Sequence, residues 1–181
     1  MMIKMKNSDI RKELKLKRNA LTKEEVFSFS DKVLTNLLTI DFTGFKNFFI
    51  YKSFNNEVDT AKIIKHFLSE NKVVSHPVII GDNMLAGIPK SDSVYLSKFK
   101  TEEPSDYTEM KGVDVCLLPL LACDKNKNRL GYGKGYYDKF LSVHPCLKIG
   151  LAYDFQVVDS IESKPWDVPL DLIITETKII K

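Results

Sequence analysis

The opening of the chain has two stretches in which apolar residues recur every three or four positions. The first stretch carries Ile10, Leu14 and Leu21, and the second carries Val26, Phe29, Val33 and Leu37. This spacing places the apolar side chains on one face of a helix. Thr22 and Glu25 have the spacing of a capping box, which stabilises a helix start. The pattern therefore predicts two helices before the first strand.

Farther along, short apolar runs alternate with helical patterns. The runs that resemble buried strands are 48–51, 73–77, 113–119, 149–152 and 172–175. Between the first two runs, Thr60 to Glu70 has the pattern of an amphipathic helix. We predict a hairpin over 78–86, around Gly81-Asp-Asn, and a loop over 101–107. Alternating strands and helices predict an α/β fold whose mainly parallel sheet is flanked by helices.

The segment with the most specific chemistry is Arg129–Asp138, which reads Arg-Leu-Gly-Tyr-Gly-Lys-Gly-Tyr-Tyr-Asp. Glycine permits positive φ and lets backbone N–H groups approach a ligand closely. At a helix start, such N–H groups and the positive end of the helix dipole form an anion site. Because Lys134 and Arg129 add full positive charges, we expect a phosphate chain here. The segment matches neither a Walker loop nor a dinucleotide fingerprint, since both need glycine where Tyr136 stands.

The surroundings of this glycine segment distinguish a ligand site from an ordinary turn. An apolar strand, 113–119, precedes it, and a helical pattern from Tyr136 to Leu141 follows it. Asp138 then falls in the first helical turn. Loops at the carboxyl ends of strands are where open α/β sheets bind ligands. The alternative, a glycine-rich connection without a ligand, remains open on the residues alone.

This region resembles the signature of the 5-formyltetrahydrofolate cyclo-ligase family, whose members are also called 5,10-methenyltetrahydrofolate synthetases. The resemblance runs from Leu118-Pro119 through Asp124 to Asp138. Further landmarks follow in order along the chain: Arg11 in a basic N-terminal helix, Glu57 after a strand, and Asp167 in Trp166–Asp171. The resemblance implies a Rossmann-like layered fold and one cyclo-ligase domain over residues 1–181.

The activity implied by the resemblance is ATP- and Mg²⁺-dependent cyclisation of 5-formyltetrahydrofolate to 5,10-methenyltetrahydrofolate. ATP would phosphorylate the formyl oxygen, and the iminium phosphate would close onto N10 with release of phosphate. Phosphoryl transfer asks a protein mainly for positioning and charge neutralisation. The resemblance also implies a small folate, with or without added glutamates, as the substrate.

The resemblance assigns roles to particular residues. Lys134 and Arg129 are the catalytic candidates, and Asp138 and Asp167 the metal ligands. The nucleotide candidates are Lys6, Arg11, Arg129, Leu130, Gly131, Tyr132, Gly133, Lys134, Gly135, Tyr136 and Tyr137. The substrate candidates are Lys52, Glu57, Tyr132, Gly133, Lys134, Gly135 and Tyr136. Glu57 suits a pterin because a carboxylate accepts two hydrogen bonds from neighbouring N–H groups. On the residues alone, Glu57 is a turn residue and Asp138 a helix-dipole partner.

Length and composition narrow the class of protein. A chain of 181 residues with 44% hydrophobic content suits one core. Its apolar runs are shorter than the ~18 residues of a membrane span, and its first residues lack the apolar segment of a secretory signal. We therefore expect a cytoplasmic monomer without membrane contact. The three cysteines lack C-x-x-C spacing, which favours free thiols, with Cys116 in the core.

Charge leaves one rival function open. Residues 1–23 hold eight Lys/Arg and two acidic residues, a net charge of +6, while the remainder carries −3. A basic arm suggests nucleic-acid binding, although residues 1–26 contain no aromatic side chain. Arg11, Lys15 and Arg18 share one helix face, which instead predicts a basic edge facing solvent or a cleft. We expect no nucleic-acid partner. A second rival is another ATP- or phospho-ligand-using enzyme on the same scaffold, and Glu57 would distinguish it.

Overall fold

The computed structural model describes residues 5–181. Its α-helices are α1 (Asn7–Asn19), α2 (Lys23–Leu37), α3 (Ala61–Ser69) and α4 (Tyr136–Val143). Its first strands are β1 (Asn47–Ile50), β2 (Val73–Ile80), β3 (Asn83–Pro89), β4 (Val94–Leu96), β5 (Glu102–Pro104) and β6 (Tyr107–Glu109). The others are β7 (Val115–Leu118), β8 (Ala122–Asp124), β9 (Arg129–Leu130), β10 (Leu147–Leu151), β11 (Val157–Val158), β12 (Leu172–Ile174) and β13 (Ile179–Ile180).

The central sheet has eight strands in the order β13-β12-β10-β7-β1-β2-β3-β6. The five strands from β12 to β2 pair in parallel, and β13, β3 and β6 add antiparallel edges. This arrangement confirms the α/β prediction of a mainly parallel sheet. Two smaller sheets lie beside it, β11-β8-β9 and β4-β5.

Apolar side chains cover both faces of the central sheet, which explains the continuous apolar runs in the sequence. Phe48 and Phe49 are adjacent in β1 and fully buried in different clusters, because successive strand side chains point to opposite faces. The cluster around Phe48 includes residues of α2 and α3. The cluster around Phe49 includes Phe140 and Leu141 of α4. The sheet is therefore sandwiched between helices.

Both predicted opening helices are present. Thr22 and Glu25 form the predicted capping box, in which each side chain binds the other residue's backbone N–H. Such a cap supports the start of α2. Cys116 is buried, as predicted, and all three cysteines are free. Within residues 5–181 none of the helices combines the length and apolar character that a membrane crossing needs.

The prediction of a loop over 101–107 is wrong. Glu102–Pro104 forms β5 and pairs with β4. The physical reason is a buried carboxylate: Glu103 accepts hydrogen bonds from the Ile79 N–H at 2.9 Å and the Tyr95 hydroxyl at 2.6 Å. These contacts hold β5 against β2 and β4. The two-stranded ribbon of β4 and β5 forms one wall of the site described next.

Candidate active site

A cavity of about 550 Å³ lies at the carboxyl ends of β1 and β7. Its wall includes Tyr51, directly after β1, and Pro119, directly after β7. The chain continues from β1 to β2 on one side and from β7 to β10 on the other. The cavity therefore lies where the strand order changes direction, which is the usual ligand position in open α/β sheets.

The glycine segment forms the part of the cavity wall that leads into α4. Gly133 and Gly135 have positive φ angles of 87° and 73°, as the pattern predicts. Gly135 is the N-cap of α4, and no side chain caps the helix start. Its first N–H groups and the positive end of the helix dipole are thus left for an anion. A Cβ at Gly131 would lie 3.0 Å from Arg129 Nη1, so a larger residue at this position would require the Arg129 side chain to shift.

The N-terminal helix contributes a second wall. Arg11 Nε donates a 2.9 Å hydrogen bond to the Gly131 carbonyl, and Lys15 also lines the cavity. Asn7 and Glu162 exchange hydrogen bonds at 2.8 and 3.2 Å, which fix the start of α1 to the C-terminal part of the chain. The basic face of α1 is therefore directed partly into the cleft. This orientation removes charge from the surface that the nucleic-acid hypothesis needs.

Glu57 is buried, with 3% of its surface exposed, although the polar residues around it in the sequence predict an exposed loop. Its Oε2 accepts a 3.2 Å hydrogen bond from the Phe54 N–H, and its Oε1 accepts one of 3.1 Å from the Tyr132 hydroxyl. Arg18 Nη1 lies 3.6 Å from the same Oε1. Burial raises the pKa of Glu57 to about 7, although the Arg18 charge and the two hydrogen bonds oppose the rise.

Arg129 and Asp138 form an ion pair beneath the glycine segment. Arg129 Nη2 lies 3.2 Å from Asp138 Oδ2, and the Arg129 side chain is only 5% exposed. The guanidinium also packs against the Tyr137 ring, 5.3 Å from its centroid. Asp138 lies in the first turn of α4 as predicted. Lys134, in contrast, is exposed on the cavity wall, so the two predicted cations have different environments.

The two predicted metal ligands lie on neighbouring segments. Asp138 Oδ1 accepts a 3.2 Å hydrogen bond from the N–H of Val168, the residue after Asp167. Asp167 Oδ2 accepts one of 2.8 Å from the Lys164 N–H. Among residues 5–181, no group of three or more metal-ligating side chains exists. Two carboxylates beside a phosphate site still fit Mg²⁺, which commonly takes one or two carboxylates and completes its shell with phosphate oxygens and water.

Nearly all the predicted site residues line this cavity. They are Arg11, Lys52, Glu57, Arg129, Leu130, Gly131, Tyr132, Gly133, Lys134, Gly135, Tyr136, Tyr137, Asp138 and Asp167. Lys6 is exposed just before α1 and is not part of the described cavity wall. Its contact with a nucleotide stays a prediction, as do the individual roles of the others.

Sequence reasoning missed several residues of the site. Trp166 lies on the cavity wall with 67% of its surface exposed, and Lys164 packs against its ring. Trp166 is the single tryptophan and directly precedes Asp167, which was the available signal. The helical spacing predicts Arg18 on the basic face of α1 but not its contacts with Glu57 and Tyr132. The sequence gives no indication that this arginine is buried.

Comparison with known proteins gives the family. The model of the 5-formyltetrahydrofolate cyclo-ligase family matches residues 3–176. The chain belongs to this family. A Mycoplasma genitalium 5-formyltetrahydrofolate cyclo-ligase is 36% identical, with 93% of this chain and 96% of that protein covered. Family membership confirms the resemblance found in the sequence and makes the chain a ligase of folate one-carbon metabolism.

Solved structures of the same family share the fold. The NMR structure of Aquifex aeolicus 5,10-methenyltetrahydrofolate synthetase matches with a TM-score of 0.85 and 32% identity, covering 97% of this chain and 92% of that one. The Mycoplasma pneumoniae 5,10-methenyltetrahydrofolate synthetase matches with a TM-score of 0.77 and 29% identity, covering 95% and 99%. The layered fold of this cyclo-ligase family therefore extends over nearly the whole chain.

Proposed function

We propose that the protein catalyses the ATP-dependent cyclisation of 5-formyltetrahydrofolate to 5,10-methenyltetrahydrofolate, with release of ADP and phosphate. The observation that supports this most directly is that one cavity contains both an uncapped, glycine-rich helix start and the buried carboxylate Glu57. The first feature suits a phosphate chain. The second suits the neighbouring N–H donors of a pterin.

The formyl group is a poor electrophile, and its oxygen is a poor leaving group. In the proposed reaction the formyl oxygen attacks the γ-phosphorus of ATP, and the bond to the ADP oxygen breaks. The resulting iminium phosphate has an electrophilic carbon, to which N10 adds. This addition closes the five-membered ring, N10 releases its proton to solvent, and phosphate then departs with the former formyl oxygen. ATP is thus consumed as a substrate that converts oxygen into a leaving group.

The chain's own residues would supply positioning and charge. The N–H groups of the Gly133–Tyr137 turn would bind the phosphates, and Lys134 would neutralise charge that develops on the transferred group. Arg11 holds the turn through the Gly131 carbonyl. Glu57 would orient the pterin so that its formyl group faces the phosphates. Asp138 and Asp167 would hold Mg²⁺, which supplies further charge neutralisation at the phosphates.

A direct assay tests the proposal. Purified protein is mixed with Mg-ATP and 5-formyltetrahydrofolate, and the ultraviolet absorbance of methenyltetrahydrofolate is followed alongside phosphate release. We expect both signals in equal amounts, and neither when ATP or the folate is omitted. Phosphate release without methenyl product would instead support another ATP-using enzyme. We place the reaction in a cytoplasmic monomer, with Mg²⁺ and with substrates that carry one or more glutamates.

A further inference from the structure

Three segments distant in sequence meet behind the cavity at Arg18, Tyr132 and Glu57. Arg18 Nη2 donates a hydrogen bond to the Tyr132 hydroxyl, which in turn donates to Glu57 Oε1. Arg18 also lies 3.6 Å from Glu57 through Nη1 and 5.6 Å from the centroid of the Tyr132 ring. Arg18 thus contacts both Tyr132 of the glycine segment and the Glu57 carboxylate, although it does not line the cavity itself.

Arg18 is an unusual residue for a helix core position. It is 1% exposed, and its Nε and Nη1 have no hydrogen-bond partner within residues 5–181. Burying a guanidinium is expensive, and apolar residues of similar volume often replace buried ion pairs without loss of stability. Stability of the fold alone therefore gives a weak reason for an arginine at this position. Its two partners, both on the cavity wall, point to a reason connected with the ligand.

We propose that Arg18 is a positioning residue for substrate binding, which fixes the Glu57 side chain and holds Tyr132 of the glycine segment against it. This inference rests on the proposed function, because it assumes that Glu57 meets the folate. In this arrangement the carboxylate that binds the pterin and the turn that binds the phosphates share one support. Loss of Arg18 should therefore weaken folate binding more than it lowers the stability of the fold.

The electrostatics around Glu57 agree with this role. Its ionised form is opposed by burial and favoured by the Arg18 charge and by the hydrogen bonds from Phe54 and Tyr132. The ionisable groups around it are Arg18 on α1, Tyr51 after β1, Tyr132 in the glycine segment and Tyr137 on α4. Arg18 supplies the positive charge, so its removal raises the pKa of Glu57. A protonated Glu57 loses an acceptor for the pterin N–H groups.

The test is the pH dependence of 5-formyltetrahydrofolate affinity, measured by calorimetry between pH 5.5 and 9. In the wild type we expect affinity to fall as the pH drops through about 7, where Glu57 takes up a proton. Arg18→Gln should move this midpoint upward by about one pH unit, which makes binding at pH 7 roughly fivefold weaker, because the ionised fraction of Glu57 falls from about one half to about one tenth. Arg18→Lys keeps a positive charge but lacks the planar guanidinium that reaches both partners, so its midpoint should lie between those of the wild type and Arg18→Gln.

Matched variants separate this role from a structural one. Lys17→Gln removes a neighbouring exposed charge on α1 and should leave the midpoint unchanged. Tyr132→Phe removes only the hydroxyl and should move the midpoint in the same direction as Arg18→Gln, by less. If Arg18→Gln does not fold, Arg18→Met, which places an apolar side chain of similar length at the same buried position, takes its place. An unchanged midpoint in the folded variant, whatever its melting temperature, overturns the inference.

A ligand-free measurement keeps the two proposals distinguishable. The ¹³C chemical shift of the Glu57 carboxyl, followed against pH by NMR, reports its protonation directly. A higher pKa in Arg18→Gln than in the wild type supports the positioning role even when no folate is present. An equal pKa overturns it. Failure of the wild type to bind 5-formyltetrahydrofolate, in contrast, overturns the proposed function.

Discussion

At the scale of single residues, the site combines exposed and buried charges that do different work. Lys134 is exposed on the cavity wall and is available to a ligand. Arg129 and Arg18 are buried against the carboxylates of Asp138 and Glu57. Each buried pair holds its two side chains together, because separating them would leave a buried charge uncompensated. Basic residues of one site can therefore act on the ligand or on another side chain.

Removal of the Lys134 ammonium should slow catalysis without unfolding the protein. A hydrogen bond to a charged group is worth about 1.5–3 kcal/mol, so Lys134→Ala should lower kcat/KM about ten- to a hundred-fold. Steady-state kinetics with ATP and 5-formyltetrahydrofolate give the value. Lys125→Ala, which removes an exposed lysine away from the cavity wall, serves as the matched control. An unchanged kcat/KM in Lys134→Ala would remove this residue from the mechanism.

Glu57 should make the stability of the fold depend on pH. Its pKa is about 7 in the folded protein and has an ordinary value of 4.5, so the folded state holds the extra proton between these limits. The contribution to stability is fully present below about pH 4.5 and is lost as the pH rises through 7. The loss amounts to roughly 3 kcal/mol. Glu57→Gln should lack this loss.

Urea unfolding at pH 5 and pH 8 measures this contribution. The quantity to compare is the difference in unfolding free energy between the two pH values, because Glu57→Gln also leaves Arg18 without its counter-ion and lowers stability at every pH. Glu24→Gln on the exposed first turn of α2 controls for the general effect of a lost carboxylate. Equal differences in the wild type and Glu57→Gln would show that burial does not raise this pKa.

At the scale of elements, local pattern predicts the elements that pack on their own apolar residues. Strands β1, β7, β10 and β12 are apolar runs because both faces of the central sheet are covered. The ribbon β4-β5 escaped prediction because Glu102-Glu103-Pro104 is polar and depends on partners in β2 and β4. Arg18 escaped for a similar reason, since Tyr132 lies 114 residues away. The glycine segment can be predicted because the residues that need positive φ are glycines close together in the sequence.

Strand β10 has no room for a side chain at Gly150. A Cβ there would lie 2.6 Å from Leu170 Cδ1 and 2.9 Å from Leu120 Cδ2. Overpacking of this kind costs about 1–3 kcal/mol, so Gly150→Ala should lower the melting temperature by several degrees. Calorimetry or circular dichroism provides the measurement. Gly112→Ala, where a Cβ meets no atom within 4 Å, should melt close to the wild type, and equal melting temperatures for both variants would contradict the packing argument.

At the scale of the whole molecule, the site is assembled by docking α1 across the carboxyl ends of the strands. Arg11, Lys15 and Asn7 all lie on the cavity wall. Helix α2 contributes no residue to that wall, and it packs with α3 on one face of the sheet. The two opening helices thus have different tasks, although their apolar patterns look alike in the sequence.

Nucleotide binding should therefore slow hydrogen exchange in α1. A ligand held by the glycine segment and by the basic face of α1 reduces the opening of that helix. Exchange measured by mass spectrometry with and without saturating Mg-ATP should show added protection over residues 7–19 and in the glycine segment. Residues 23–37 should change little and act as an internal control. Equal protection of both helices would indicate general stabilisation, and no protection of α1 would separate it from the nucleotide.

The strand order also determines when the site exists during synthesis. The hydrogen-bond acceptor of Arg11, the Gly131 carbonyl, lies 120 residues farther along the chain. The second edge of β1 stays unpaired until β7 has been synthesised. Until then the emerging chain carries a strand with two apolar faces and an open edge, the type of surface on which newly made proteins aggregate. A ribosome that has made only the first half of this protein holds a chain unable to bind either ligand.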